Sequence, residues 1–68
     1  MKDIITQDPE ILGGKPIIKG TRMSVESILE LVASGMSIED ILKDYPILKK
    51  DHILAAVDYA SKLVGKSK

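Results

Sequence analysis

Gly35 and Ser37, two residues apart, make the sharper of two breaks in a stretch of helical periodicity from Val25 to Ala60. Glycine just past a helix end adopts the left-handed conformation without steric cost, and serine is a favoured N-cap. One helix therefore stops and the next starts within a single tight corner. That punctuation marks a helix-turn-helix, and no other feature constrains the fold of this chain as much.

The helices on either side follow from spacing and capping. Ser24 is placed to cap a helix over 25–34, with Glu26 in the first turn where the helix dipole favours negative charge. Val25, Ile28, Leu29 and Val32 have the i, i+3, i+4, i+7 spacing of one buried face. Met36 bridges the corner into the core. Ser37 caps a second helix over 38–44, with Asp40 in the place of a capping-box acid. Ile38, Ile41, Leu42 and Tyr45 repeat the apolar spacing, Glu39 and Lys43 form a favourable i, i+4 pair, and Pro46 ends the helix. Ile47 and Leu48 are expected to pack under a third helix over 50–64. Its start at Lys49 and Lys50 lacks a good cap, and Asp51 offsets the adverse charge. The expected buried stripe is Ile53, Ala56, Val57, Ala60 and Val64. Asp58 and Lys62 make another favourable pair, and Gly65 is a candidate C′ residue opening a frayed tail at 65–68.

Before the helices, Ile4-Ile5-Thr6 reads as a short strand. Asp8-Pro9-Glu10 opens what reads as a single helical turn over 8–13. Lys15 to Lys19 is a second extended segment, with Pro16 favouring an edge strand or a strand start. Gly20 and Thr21 make a turn. The chain is thus expected to be one domain, 1–68: a β/turn arm over 1–24, the three-helix unit over 25–64 and the tail.

At 68 residues with no cysteine, neither a disulfide framework nor a cysteine zinc site can reinforce a small core. Helix packing or oligomerisation must do so, and a homodimer is expected. With two tyrosines and no Phe or Trp, the chain has no stacking platform for single-stranded nucleic acid. Net charge is zero, yet residues 1–24, 25–46 and 47–68 carry +1, −4 and +3. Absence of a membrane-length apolar run or a signal peptide points to a soluble cytoplasmic protein. One histidine and scattered carboxylates offer no catalytic residue, metal site or cofactor site, so a non-enzymatic role is expected. Residues 13–22, GGKPIIKGTR, lack the order of a P-loop.

Two binding surfaces remain. Read as a DNA-binding unit, the third helix would present Lys49, Lys50, His52, Ala55, Tyr59 and Lys62. Lysines meet phosphates, but no Arg, Asn or Gln is there for a bidentate base contact, and the second helix is acidic. Read as a protein-interaction module, the segment before the helices would present Lys15, Lys19, Thr21 and Arg22 to an acidic partner.

Gly14-Lys15-Pro16, Ile17-Ile18, Gly20-Thr21-Arg22, Val25, Gly35, Ser37, Tyr45-Pro46, Leu48 and Asp58-Tyr59-Ala60 together closely resemble the small prokaryotic family called domain of unknown function 433. The resemblance covers nearly the whole chain. It departs at Asp58, where the family pattern has Ala, and at Lys49, where members often carry Thr or Ser. It implies a mainly α fold, a homeodomain-like or winged helix-turn-helix unit with a short N-terminal β element. It also implies a VapB-type antitoxin of a type II toxin–antitoxin pair, which neutralises a PIN-like ribonuclease toxin and represses their shared operon. A stand-alone helix-turn-helix transcriptional regulator is the competing expectation.

Overall fold

Three helices close over a two-stranded antiparallel sheet. The computed structural model describes residues 4–66, the last for its backbone alone; the expected frayed residues Ser67 and Lys68 lie outside these. Strand β1 (Ile5–Gln7) pairs with β2 (Pro16–Ile18), and three helices follow, α1 (Val25–Ala33), α2 (Ile38–Asp44) and α3 (Lys50–Lys66). Helix α3 packs against both α1 and α2, and β2 lies against α1. Ile18, Val25, Ile28, Ile41, Leu48, Ile53 and Ala56 form the buried centre. Among the described residues no helix is long and apolar enough to cross a membrane.

The helix punctuation is local and forms as expected. The Ser24 hydroxyl accepts the Ser27 N–H at 2.9 Å, starting α1. At the other end the Met36 N–H donates to Leu31 O and the Gly35 N–H to Val32 O, with Gly35 at φ 98°. This is a Schellman motif, and Leu31 and Met36 supply its apolar contact against the core. Ser37 accepts the Asp40 N–H at 3.1 Å. The return arm of the capping box is not made, since Asp is one methylene shorter than the usual Glu. Tyr45, with φ −127° and ψ 77°, leaves the helical region before Pro46 and ends α2.

Helix α3 starts differently from its expected uncapped form. The Lys49 N–H donates to Nδ1 of His52 at 3.1 Å. His52 occupies the position from which a capping-box Glu reaches back, so the imidazole replaces half of the missing cap. That bond needs an unprotonated Nδ1. His52→Ala is expected to cost about 0.5–1.5 kcal/mol of stability, and His52→Glu to restore it. Thermal melts of the three proteins check this; an Ala variant melting with the wild type would show the bond to be idle.

Several expectations about faces and ends change. Gly65 lies within α3, which runs on to Lys66, so 65–66 are not a frayed tail. Val32, Val57 and Val64 are exposed, whereas Ala55 is buried. The cause is that α3 lies against both α1 and α2, which rotates its covered arc toward Ala55 and Tyr59. Leu48 is buried, but Ile47 is 59% exposed, because a turn closed by the Leu48 N–H to Tyr45 O puts Ile47 at its outer corner. Residues 8–13 do not form one continuous helical turn: Asp8 to Ile11 close a single hydrogen-bonded turn, and a short 3-10 segment, Leu12–Gly14, follows it. The Asp8 carboxylate accepts the Glu10 N–H and its carbonyl the Ile11 N–H, closing a turn before a helix can propagate. The chain then turns left-handed, with Leu12 at φ 51°. Glu39 and Lys43 make no ion pair, while Asp58 and Lys62 do, at 3.3 Å.

Candidate functional site

The sheet register decides what the N-terminal segment can present. Ile5 pairs with Ile18, Thr6 with Ile17 and Gln7 with Pro16. Alternation along a strand sends Ile17 and Ile18 to opposite faces. Ile18 enters the core, while Ile17, only 2% exposed, becomes the floor of a groove on the outer face. Pro16 stands at the strand start, where its missing N–H costs nothing. The groove has a volume of about 620 Å³; Thr6, Pro9, Ile11, Arg22 and the exposed Ile47 line it above Ile17. Asp8 also borders it, with its carboxylate already bonded to the Glu10 N–H.

The turn from Ile18 to Thr21 builds the cationic rim. The Thr21 N–H donates to Ile18 O at 3.0 Å, and Gly20, third in the turn, has φ 84°. A turn with positive φ at its third residue needs glycine there, because a Cβ would crowd the backbone. The Thr21 hydroxyl donates to Ile18 O at 2.8 Å and accepts the Met23 N–H at 3.0 Å. The Ile18 N–H in turn donates to Met23 O, and Ile17 bridges to Ser24, the N-cap of α1. Gly20 and Thr21 thus clamp the strand to the first helix. The residues flanking them, Lys19 and Arg22, are exposed. Among the described residues neither has an ion-pair or side-chain hydrogen-bond partner.

The candidate residues divide accordingly. Lys19 and Arg22 sit together at the turn, and Thr21 holds the turn rather than facing out. Lys15 lies elsewhere: its ammonium meets Glu26 at 3.1 Å, beside a second groove between α1 and α3. Both partners are well exposed, so that pair contributes little. Of the candidate DNA-contacting residues, Lys49 and Lys50 are exposed at the start of α3. His52 is half-buried and engaged in the cap, Tyr59 packs against the core, and Lys62 pairs with Asp58. They do not share one face. Among the described residues no three His, Asp or Glu side chains converge on a metal-sized site. Sequence reasoning missed Ile11, Ile17 and Ile47 as groove residues; the only signal was their apolar character outside the helical stripes.

Comparison with known proteins bears on the whole chain. The profile of a family described as a protein of unknown function, DUF433, matches residues 5–60. An uncharacterized protein of Sinorhizobium fredii, y4eO, is 41% identical over 59 residues, an alignment that takes in 87% of this chain and 27% of that protein. The crystal structure of a DUF433 member from Anabaena variabilis aligns with a TM-score of 0.85 at 25% identity, over 96% of this chain and 64% of that one. The chain therefore spans about a quarter of the first relative and less than two thirds of the second.

Proposed function

The chain belongs to the DUF433 family, and from that premise we propose that it works by binding rather than by chemistry, as the antitoxin of a type II toxin–antitoxin pair. Its target in this reading is a PIN-like ribonuclease. The observation that supports it is the hydrogen-bonded turn beside which Lys19 and Arg22 are exposed, with Arg22 lining a groove floored by Ile17. A nuclease that holds its metals with carboxylates has an acidic active site. Arg22 can meet a carboxylate with two parallel N–H donors, and Ile47 with Ile11 can cover an apolar neighbour. The reading requires no cofactor and no catalytic residue in this chain.

Co-expression with a PIN-like nuclease tests the idea directly. Lys19→Glu combined with Arg22→Glu is expected to weaken the complex at least tenfold, about 1.4 kcal/mol, and to release nuclease activity. Unchanged affinity and unchanged inhibition in that double variant would sink the electrostatic contact.

A second reading treats α1 to α3 as a homeodomain-like helix-turn-helix that binds DNA, either to repress its own operon or as a stand-alone regulator. The capped corner at Gly35 to Ser37 and the exposed Lys49 and Lys50 at the start of α3 favour it. The acidic side chains of α2 and the apolar exposed side of α3 weigh against it. Gel shifts with the chain's own promoter at two salt concentrations separate the readings: tight, salt-sensitive binding by the protein alone supports the regulator.

A further inference from the structure

Strand β2 has a neighbour on each side, β1 on one and the Met23–Ser24 segment on the other, while β1 has β2 alone. The Lys19 N–H donates to Ile4 O at 2.7 Å, so Ile4 and Lys19 are a hydrogen-bonded pair that extends the β1–β2 register. Such pairs alternate along an antiparallel ladder, which makes Thr6 and Ile17 the next one. Between them, Ile5 faces Ile18, whose N–H donates to Met23 O and whose C=O accepts the Thr21 N–H, away from β1. The backbone N–H and C=O of Ile5 and of Gln7 therefore point to the far side of β1. Among the described residues they have no partner there. An open edge of this kind is a template for another strand, and proteins commonly guard it with a charge, a proline or a bulge. Ile5-Thr6-Gln7 carries none of these.

We propose that β1 pairs with β1 of a second copy, antiparallel about a two-fold axis at Thr6, so that two hairpins form one four-stranded sheet. The open groups fix that register. With Thr6 opposite its counterpart, Ile5 of each chain faces Gln7 of the other, and every open N–H and C=O of both residues is bonded. A register centred on Gln7 would set Ile5 opposite Pro9, which has no N–H. One centred on Ile5 would carry Gln7 beyond the start of the other strand. Charge selects a second copy over an unrelated strand. The edge is basic where β1 begins, with Lys19 across from Ile4 and Arg22 after the same turn, and acidic where β1 ends, at Asp8 and Glu10. An antiparallel copy reverses that polarity. Asp8 of each chain comes opposite Ile4 of the other, and Lys19 lies one strand beyond, roughly 10 Å away and within reach of its long side chain. Among the described residues neither Lys19 nor Asp8 has an ion pair in its own chain. A wholly acidic or wholly basic strand would meet a like charge at one end. Thr6 and its counterpart form a favourable cross-strand pair, and the two Ile17-floored grooves, each lined by Thr6, meet there. The contact is the same in both directions, so pairing closes as a dimer. The proposal does not depend on the antitoxin reading.

Sedimentation equilibrium and amide hydrogen exchange of the full chain, without nuclease or DNA, over a wide concentration range are the test. A dimer is expected. The Ile5 and Gln7 amides should exchange fast in dilute solution and slowly in concentrated solution, while the Thr6 amide, bonded inside the hairpin, changes little. Gln7→Pro removes an N–H that the hairpin does not use, and should weaken the dimer roughly tenfold or more because the two-fold loses the bond twice. Gln7→Ala loses the same side-chain bond to Gly14 O but keeps the N–H, and should dimerise like the wild type. Asp8→Asn keeps an acceptor for the Glu10 N–H without the charge, and should weaken the dimer several-fold at low salt. Three results would overturn the proposal. One is a wild-type chain that stays monomeric at millimolar concentration. Another is a dimer in which the Ile5 and Gln7 amides exchange as fast as in dilute solution, which would place the interface elsewhere. The third is equal dimerisation by the Pro and Ala variants.

Discussion

Ile28→Ala is expected to remove about half of the protein's folding stability. Ile28 is fully buried on α1, in the cluster that joins β2 to all three helices. Truncating a buried isoleucine to alanine costs about 2–5 kcal/mol, through lost transfer energy and the cavity left behind. A chain of 68 residues has roughly 3–10 kcal/mol of stability in total. The control is Val32→Ala, one turn on in the same apolar series but 38% exposed, which should stay within about 0.5 kcal/mol of wild type. Urea titrations followed by circular dichroism compare the two at one fixed protein concentration, since any dimer adds concentration-dependent stability. Equal losses in both variants would mean that α1 is rotated relative to the arrangement described.

Thr21→Val is expected to cost about 1–3 kcal/mol although it leaves the side-chain shape nearly unchanged. It removes a hydroxyl that donates to Ile18 O and accepts the Met23 N–H, and leaves that part-buried N–H without its acceptor. Thr21→Ser keeps both bonds and should lose much less. The same substitution separates shape from charge in the proposed binding site. Thr21→Val retains Lys19 and Arg22, yet it loosens the loop that aims them, so it should weaken partner binding without altering net charge. Denaturation midpoints and affinities for wild type, Ser and Val check both parts. A Val variant as stable as the Ser variant would leave the turn without the clamp described.

Much of the candidate site was visible as residue types and little of it as a site. Lys15, Lys19, Thr21 and Arg22 stand close together along the chain, but the fold separates them into three roles. Lys15 lies beside α1 with Glu26, Thr21 closes a turn, and Lys19 and Arg22 face outward. That division depends on the pairing of Ile18 with Met23 and of Ile17 with Ser24, contacts between segments that no local pattern specifies. Ile47 is a comparable case. An isoleucine next to Leu48 reads as core, yet the turn after Pro46 buries one and exposes the other. His52 reads as a surface residue because nothing in the sequence announces that Nδ1 will serve as an acceptor for the backbone three residues earlier.

The ends of α1 and α2 were determined by the sequence alone. Ser24, Gly35, Ser37 and Pro46 act through bonds and steric limits that reach no more than five residues along the chain. The tertiary structure alone decided which sides of the helices are covered. In α3 the apolar residues Ile53, Leu54, Ala56, Val57, Ala60, Leu63 and Val64 span more than one side, so periodicity allows several orientations. Packing against α1 and α2 together selected the side with Ala55, Ala56 and Tyr59, and left Leu54, Val57 and Val64 in solvent. A helix end is a local event, whereas a buried face is a sum over every neighbour, and only the assembled chain contains that sum.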